Sequence, residues 1–213
     1  MTSTNNDMTT IRSDRTGTQI RATALPDLEP QTAGLISQFE EFSEEWRDGF
    51  MLQIGWAPLW LREDDDGFTI LTRDFQGDPR TASTEDLTLT IWMMVSLLHT
   101  AQTAGVEPVD VAWDDRVICI DGWDKADLIQ LTRETERRAG DSGWLVDTSP
   151  PASRDEPSAD EMTAIPVWRM LQLRPAVARA FSLPSTTATL VKGDHIVAIF
   201  DNTTRQSLFQ GKL

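Results

Sequence analysis

Tyrosine is absent from this chain of 213 residues, cysteine occurs once and histidine twice. The lone Cys119 excludes an internal disulfide, which fits a reducing compartment. Its place inside "VICI" marks a buried thiol rather than a nucleophile. His99 lies in an apolar run and His195 in a turn, outside any catalytic motif, and no G-x-S-x-G, H-E-x-x-H, P-loop or G-x-G-x-x-G stretch is present. Two histidines and one cysteine without closely spaced carboxylates do not make a zinc site. With tyrosine missing as a further general acid, no constellation stands out as a starting point for catalysis. The chain therefore reads as a non-catalytic protein with no cofactor and no metal.

Cations are also scarce: 19 Lys and Arg stand against 34 Asp and Glu, for a net charge of −15 and a pI near 4.4. Nucleic acids and anionic membranes need clustered Lys and Arg, so neither is expected as a partner. No run of eighteen apolar residues occurs, and "MTSTNNDMTTIRSDRTGTQIR" lacks the apolar stretch of a signal peptide. The expected address is the cytoplasm. What the chain does have is 39% apolar residues with eight Trp and eight Phe, enough for a real core.

Residues 1–33 carry few large apolar side chains and read as a flexible polar tail. In "ISQFEEFSEEWRDGF", Ile36, Phe39, Phe42 and Trp46 recur at helical spacing, which predicts an amphipathic helix ended at Gly49. "MLQIGWAPLWLRE" and "GFTILTRDF" flank Asp64-Asp65-Asp66-Gly67, a hairpin signal. A calcium loop centred on Gly67 would begin and end on Arg62 and Arg73, so a turn is the better reading. "LTLTIWMMVSLLHTAQTA" predicts a buried helix capped by Thr84-Glu85-Asp86 and closed by Gly105. "VDVAWDDRVICIDG" predicts a hairpin over Asp114-Asp115, and "WDKADLIQLTRETERRAG" a helix capped by Asp124 or Asp127 and stopped at Gly140.

At an offset of 76 residues, Gly67 falls on Gly143, Trp92 on Trp168, Met94 on Met170 and Pro108 on Pro184. With three further residues inserted, "RVICI" falls on "HIVAI". This predicts an α+β fold built as a degenerate tandem repeat of a strand–helix–hairpin unit, after an N-terminal helix and the tail. The expected boundaries are 1–33 for the tail, 34–122 for the first unit and 123–213 for the second, packed with the first. In the second copy Pro166 is expected to fix a helix start before Trp168. The Pro/Ser-rich loop "DTSPPASRDEPSADE" is expected to be exposed, where recognition tends to sit.

The stretch "AGDSGWLVDT", the acidic loop after it, and "IPVWRMLQLRPAVARAFSLPSTTATLVKGDHIVAIFD" resemble a family of bacterial immunity proteins from polymorphic toxin systems. That family carries an Asp-Ser-Gly-Trp motif, an acidic loop, a helix ending in an apolar-Pro step and a final strand pair. The matching positions are Asp141, Ser142, Gly143, Trp144, Pro184 and the closing hairpin, over about a third of the chain. The resemblance implies a small α+β protein that binds and blocks a toxin without catalysis of its own. Acidity points the same way, toward a basic protein partner. Trp56, Trp60, Trp113 and Trp123 flank acidic turns and suggest a mixed aromatic and acidic patch. The expected partner-binding residues are Asp64, Asp65, Asp66, Asp114, Asp115, Trp144, Asp155 and Glu156. Two other classes fit the same composition: a structural or assembly subunit of a larger particle or secretion complex, and a hydrolase using a carboxylate pair.

Overall fold

The run "IRATA" places Ile20, Ala22 and Ala24 on one side of a strand and leaves Arg21 and Thr23 on the other, in a computed structural model that describes residues 8–135, 138–149 and 158–213. Those three inward residues are fully buried, although two are only alanine. The expected flexible tail therefore does not extend to residue 33. β1 (Thr9–Ser13) and β2 (Ile20–Ala24) pair antiparallel, and the chain then enters α1 (Glu29–Glu40). Small inward residues contribute little to hydropathy yet allow the sheet and helix to approach closely, which is why composition hid them.

The chain divides into two units, Met1–Met94 and Val95–Leu213. The boundary falls inside a helix rather than at the expected 122/123. In the first unit α1 is followed by β3 (Met51–Ile54), β4 (Ala57–Asp64), β5 (Gly67–Arg73), β6 (Ser83–Thr84) and α2 (Thr88–Ala104). Sheet order is β1-β2-β5-β4-β3, with β6 also on β5, and β2 runs parallel to β5. Its core joins Ile20, Leu59, Leu61 and Ile70 from the sheet to Leu35, Ile36 and Phe39 of α1 and Leu87 and Ile91 at the start of α2.

The hairpin over Asp64–Gly67 forms as expected, with Asp65-Asp66 as its loop and Gly67 as the first residue of β5. Gly67 has φ +132, and a Cβ there would lie 2.2 Å from the Gln19 carbonyl oxygen. The Phe68 amide donates to that same oxygen at 2.9 Å. Glycine is needed here because two backbones meet. α2 forms with the expected ends, the Asp86 carboxylate accepting the Thr88 amide at 2.9 Å and Gly105 closing it at φ +67, but it is not buried throughout, since Val95 and Leu98 are exposed.

The expected helix through Phe42 and Trp46 starts earlier and stops at Glu40. The Phe39 carbonyl accepts both the Phe42 amide (3.0 Å) and the Trp46 indole N–H (2.9 Å), so the chain tightens into 3-10 turns instead of continuing.

The second unit contains β7 (Arg116–Ile120), β8 (Leu128–Arg133), β9 (Asp141–Thr148), β10 (Met162–Pro166), α3 (Val167–Leu173), α4 (Pro175–Ala178), β11 (Thr187–Lys192), β12 (His195–Asp201) and β13 (Ser207–Gln210). Among the described residues these strands form one sheet, ordered β10-β7-β9-β8-β11-β12-β13. Two expectations are corrected. The segment before Asp114 is no strand: the Val109 amide donates to the Ser182 carbonyl (2.7 Å), while β7 takes β9 and β10 as neighbours. Residues 128–133 form a strand rather than a helix. Ile129, Leu131 and Arg133 alternate inward, a period of two that six residues of mixed polarity did not separate from a helical one.

Pro166 does stand immediately before α3. The two stretches expected to form a tandem repeat agree in one feature and differ in another. Gly67 and Gly143 both lie in strands with a parallel neighbour, β5 beside β2 and β9 beside β7. Against this, α2 runs 17 residues, whereas the segment expected to match it breaks at Arg174 before Pro175 into α3 and α4. Proline at 175 removes a backbone donor and disfavours helical geometry in the residue before it.

Candidate binding surface

The triple aspartate turn is partly built into the fold. Asp64 pairs with Arg21 (Nη2 to Oδ2, 2.8 Å), accepts the Thr69 hydroxyl at 2.7 Å and accepts the Asp66 amide at 3.2 Å. The Thr69 hydrogen bond, then the Asp66 amide and the nearby Arg21 and Arg62 cations, hold its carboxyl below the usual carboxylate range despite some burial. Asp66 lies 3.9 Å from the other Arg21 nitrogen with its side chain largely exposed, and Asp65 is exposed. Asp64 thus fixes the turn, and Asp65 and Asp66 are presented by it.

The same arginine belongs to a row across the outer face of the first sheet. Register places Arg12 opposite Arg21, Arg21 beside Thr69, and Thr69 opposite Arg62. Arg62 pairs with Glu85, and the Arg73 guanidinium stands 5.4 Å from the Trp60 ring. This face is mixed in charge.

A further group of exposed acids in the first unit stands on the segment after α1. Because the helix ends at Glu40, Phe42 is not on a buried helical face but 41% exposed. Around it in sequence stand Glu41, Glu44, Glu45 and Asp48, all exposed, with Arg47 as the intervening cation. The Phe42 ring tilts against Phe50 at 6.3 Å, and Arg47 lies 5.9 Å from the Phe50 ring. The Gly49 amide donates to the Leu61 carbonyl (2.8 Å) and the Glu63 amide to the Asp48 carboxylate (3.0 Å), which brings exposed Glu63 beside this segment. The result is an exposed apolar ring within a run of exposed acids whose backbone is anchored to β4. The sequence held the signal, an Phe-Glu-rich run, but helical phase assigned Phe42 to the core.

In the second unit Asp114 is exposed, while Asp115 is half-buried and its carboxylate accepts the Ala112 amide of its own turn at 2.9 Å. Only Asp114 is presented. Trp144 is corrected as a contact residue: it is 1% exposed, its indole donates to the Phe181 carbonyl at 3.1 Å, and the Arg133 guanidinium lies 5.6 Å from its ring. Inward alternation along β9 buries it. Arg133, itself buried, donates to the carbonyls of Ser142 (3.0 Å), Leu183 (2.9 Å) and Asp110 (3.4 Å) and so ties three segments together. Asp155 and Glu156 lie outside the described residues.

No family model, no curated protein and no solved structure matches the chain. Among the described residues, no helix is long and apolar enough to cross a membrane.

Proposed function

We propose that this is a non-catalytic acidic binding protein that neutralises a cognate basic protein, a toxin or effector, in the manner of an immunity protein. The observation that supports the reading is Phe42, exposed among Glu41, Glu44, Glu45, Asp48 and Glu63. Buried aromatic anchors contribute most at interface centres, and an acidic surround accelerates and orients the approach of a cationic partner. Asp65 and Asp66 extend the same acidity at the β4–β5 turn. The Asp-Ser-Gly-Trp motif enters this proposal as a scaffold element, since Trp144 and Ser142 are buried. The uneven tandem correspondence is included as a degenerate duplication, supported by the parallel strand pair in each unit.

The test is capture of partners from the native host by the tagged chain at low and high salt, followed by the Phe42→Ala and Glu41→Lys/Glu44→Lys/Glu45→Lys variants. One basic protein held at low salt, weakened at high salt and lost from both variants is expected. No basic partner, or one whose binding ignores salt and both variants, overturns the reading.

A further inference from the structure

The two faces of the second sheet differ. Ile129, Leu131, Val146 and Val191 are fully buried on one side. The other side is set by the register Thr132–Ala188–Phe200 and Gln130–Leu190–Ala198 across β8, β11 and β12. On it opens a hollow of about 340 Å³ whose apolar lining is Ala188, Leu190 and Phe200. Gln130, Ser149 and Asn202 contribute neutral polar groups, and Arg205 stands at its edge. Its size falls within the range of small-molecule sites, roughly 300–1,000 Å³.

Arg205 is the one non-glycine residue with positive φ among the described residues, at +61. Glycine or asparagine would take that conformation with less strain, so the turn favours another residue over the one it has. The turn holds it firmly. The Asp201 carboxylate accepts the Thr203 and Thr204 amides (2.8 and 2.6 Å), the Asp201 carbonyl accepts the Arg205 amide (2.9 Å), and the Asn202 amide reaches the Thr186 carbonyl (2.6 Å). Asp201 is thereby engaged in the turn. Asp147, opposite Gln130 on β9, accepts its neighbour's Thr148 amide at 2.7 Å. Among the described residues Arg205 is the only formal charge in the lining, a cation in a chain of net charge −15.

We propose that this hollow binds a small amphipathic carboxylate, its hydrocarbon against Ala188, Leu190 and Phe200 and its carboxylate against Arg205. The site uses none of the residues of the acidic surface, and either reading can fail without the other.

The test is calorimetric titration of the full chain with sodium octanoate, octan-1-ol and octylamine, with amide shifts followed on 15N-labelled protein. Expected is saturable octanoate binding at least tenfold tighter than that of octan-1-ol, no saturation by octylamine, and shifts centred on Ala188–Leu190 and Asp201–Arg205. Arg205→Gly relieves the left-handed strain, so it should melt no lower than the parent while octanoate affinity falls at least tenfold. Leu190→Glu should abolish octanoate binding by placing a carboxylate in the lining. Equal affinities for octanoate and octan-1-ol in the parent, shifts elsewhere, or full affinity in Arg205→Gly would overturn the site.

Discussion

Asp64 combines two roles that a sequence motif cannot separate, a turn acid and an ion-pair partner. Its carboxyl is lowered chiefly by the Thr69 hydroxyl, so it stabilises the fold above the unfolded carboxylate value, and that contribution disappears as pH falls through the lowered folded value. Asp64→Asn is therefore expected to destabilise the chain by about 1–2 kcal/mol at neutral pH. The gap from the parent should close as pH falls from the ordinary carboxylate value through the lowered folded one, as measured by thermal melts across pH. Cys119 behaves oppositely. Burial pushes its thiol up to about 12. In the unfolded chain the thiol ionises near pH 8.5, so stability should decline as pH rises from there toward the folded value. Native protein at pH 8 should resist a thiol reagent that labels Cys119 at once in denaturant; rapid native labelling would contradict its burial.

At the level of elements, backbone contacts decide more than propensity does. Gly67→Ala would force a Cβ against the Gln19 carbonyl at a φ that disfavours side chains. A loss of about 3 kcal/mol or more is expected in denaturant melts. Gly105→Ala, at a helix end with open space around it, should cost about 1 kcal/mol. α2 and the Asp64 hairpin were legible because cap, turn and apolar pattern agree along the sequence. β8 was not, since its inward set ends on Arg133, whose burial depends on carbonyls from Asp110, Ser142 and Leu183. Replacing Arg133 with Met would leave those acceptors without their shared donor and should cost about 3 kcal/mol.

For the whole molecule, charge is the property that sequence states most directly. The first 94 residues hold 17 Asp and Glu against 7 Arg, and surface acids act on association more than on fold. Reversing Glu41, Glu44 and Glu45 should leave the melting temperature nearly unchanged while slowing association with a basic partner at least tenfold at low salt, measured by stopped-flow or surface binding. By itself, the sequence determined an α+β chain rich in acid, with the helix from Thr88 and the hairpins around Asp64 and Gly193, because each is specified by residues close together along the chain. Tertiary structure decided that Trp144 is fully enclosed and that Ile20–Ala24 is a strand. Each depends on a partner far away in sequence, the Phe181 carbonyl for the Trp144 indole and Phe68–Thr69 for β2, and local pattern carries no record of that choice.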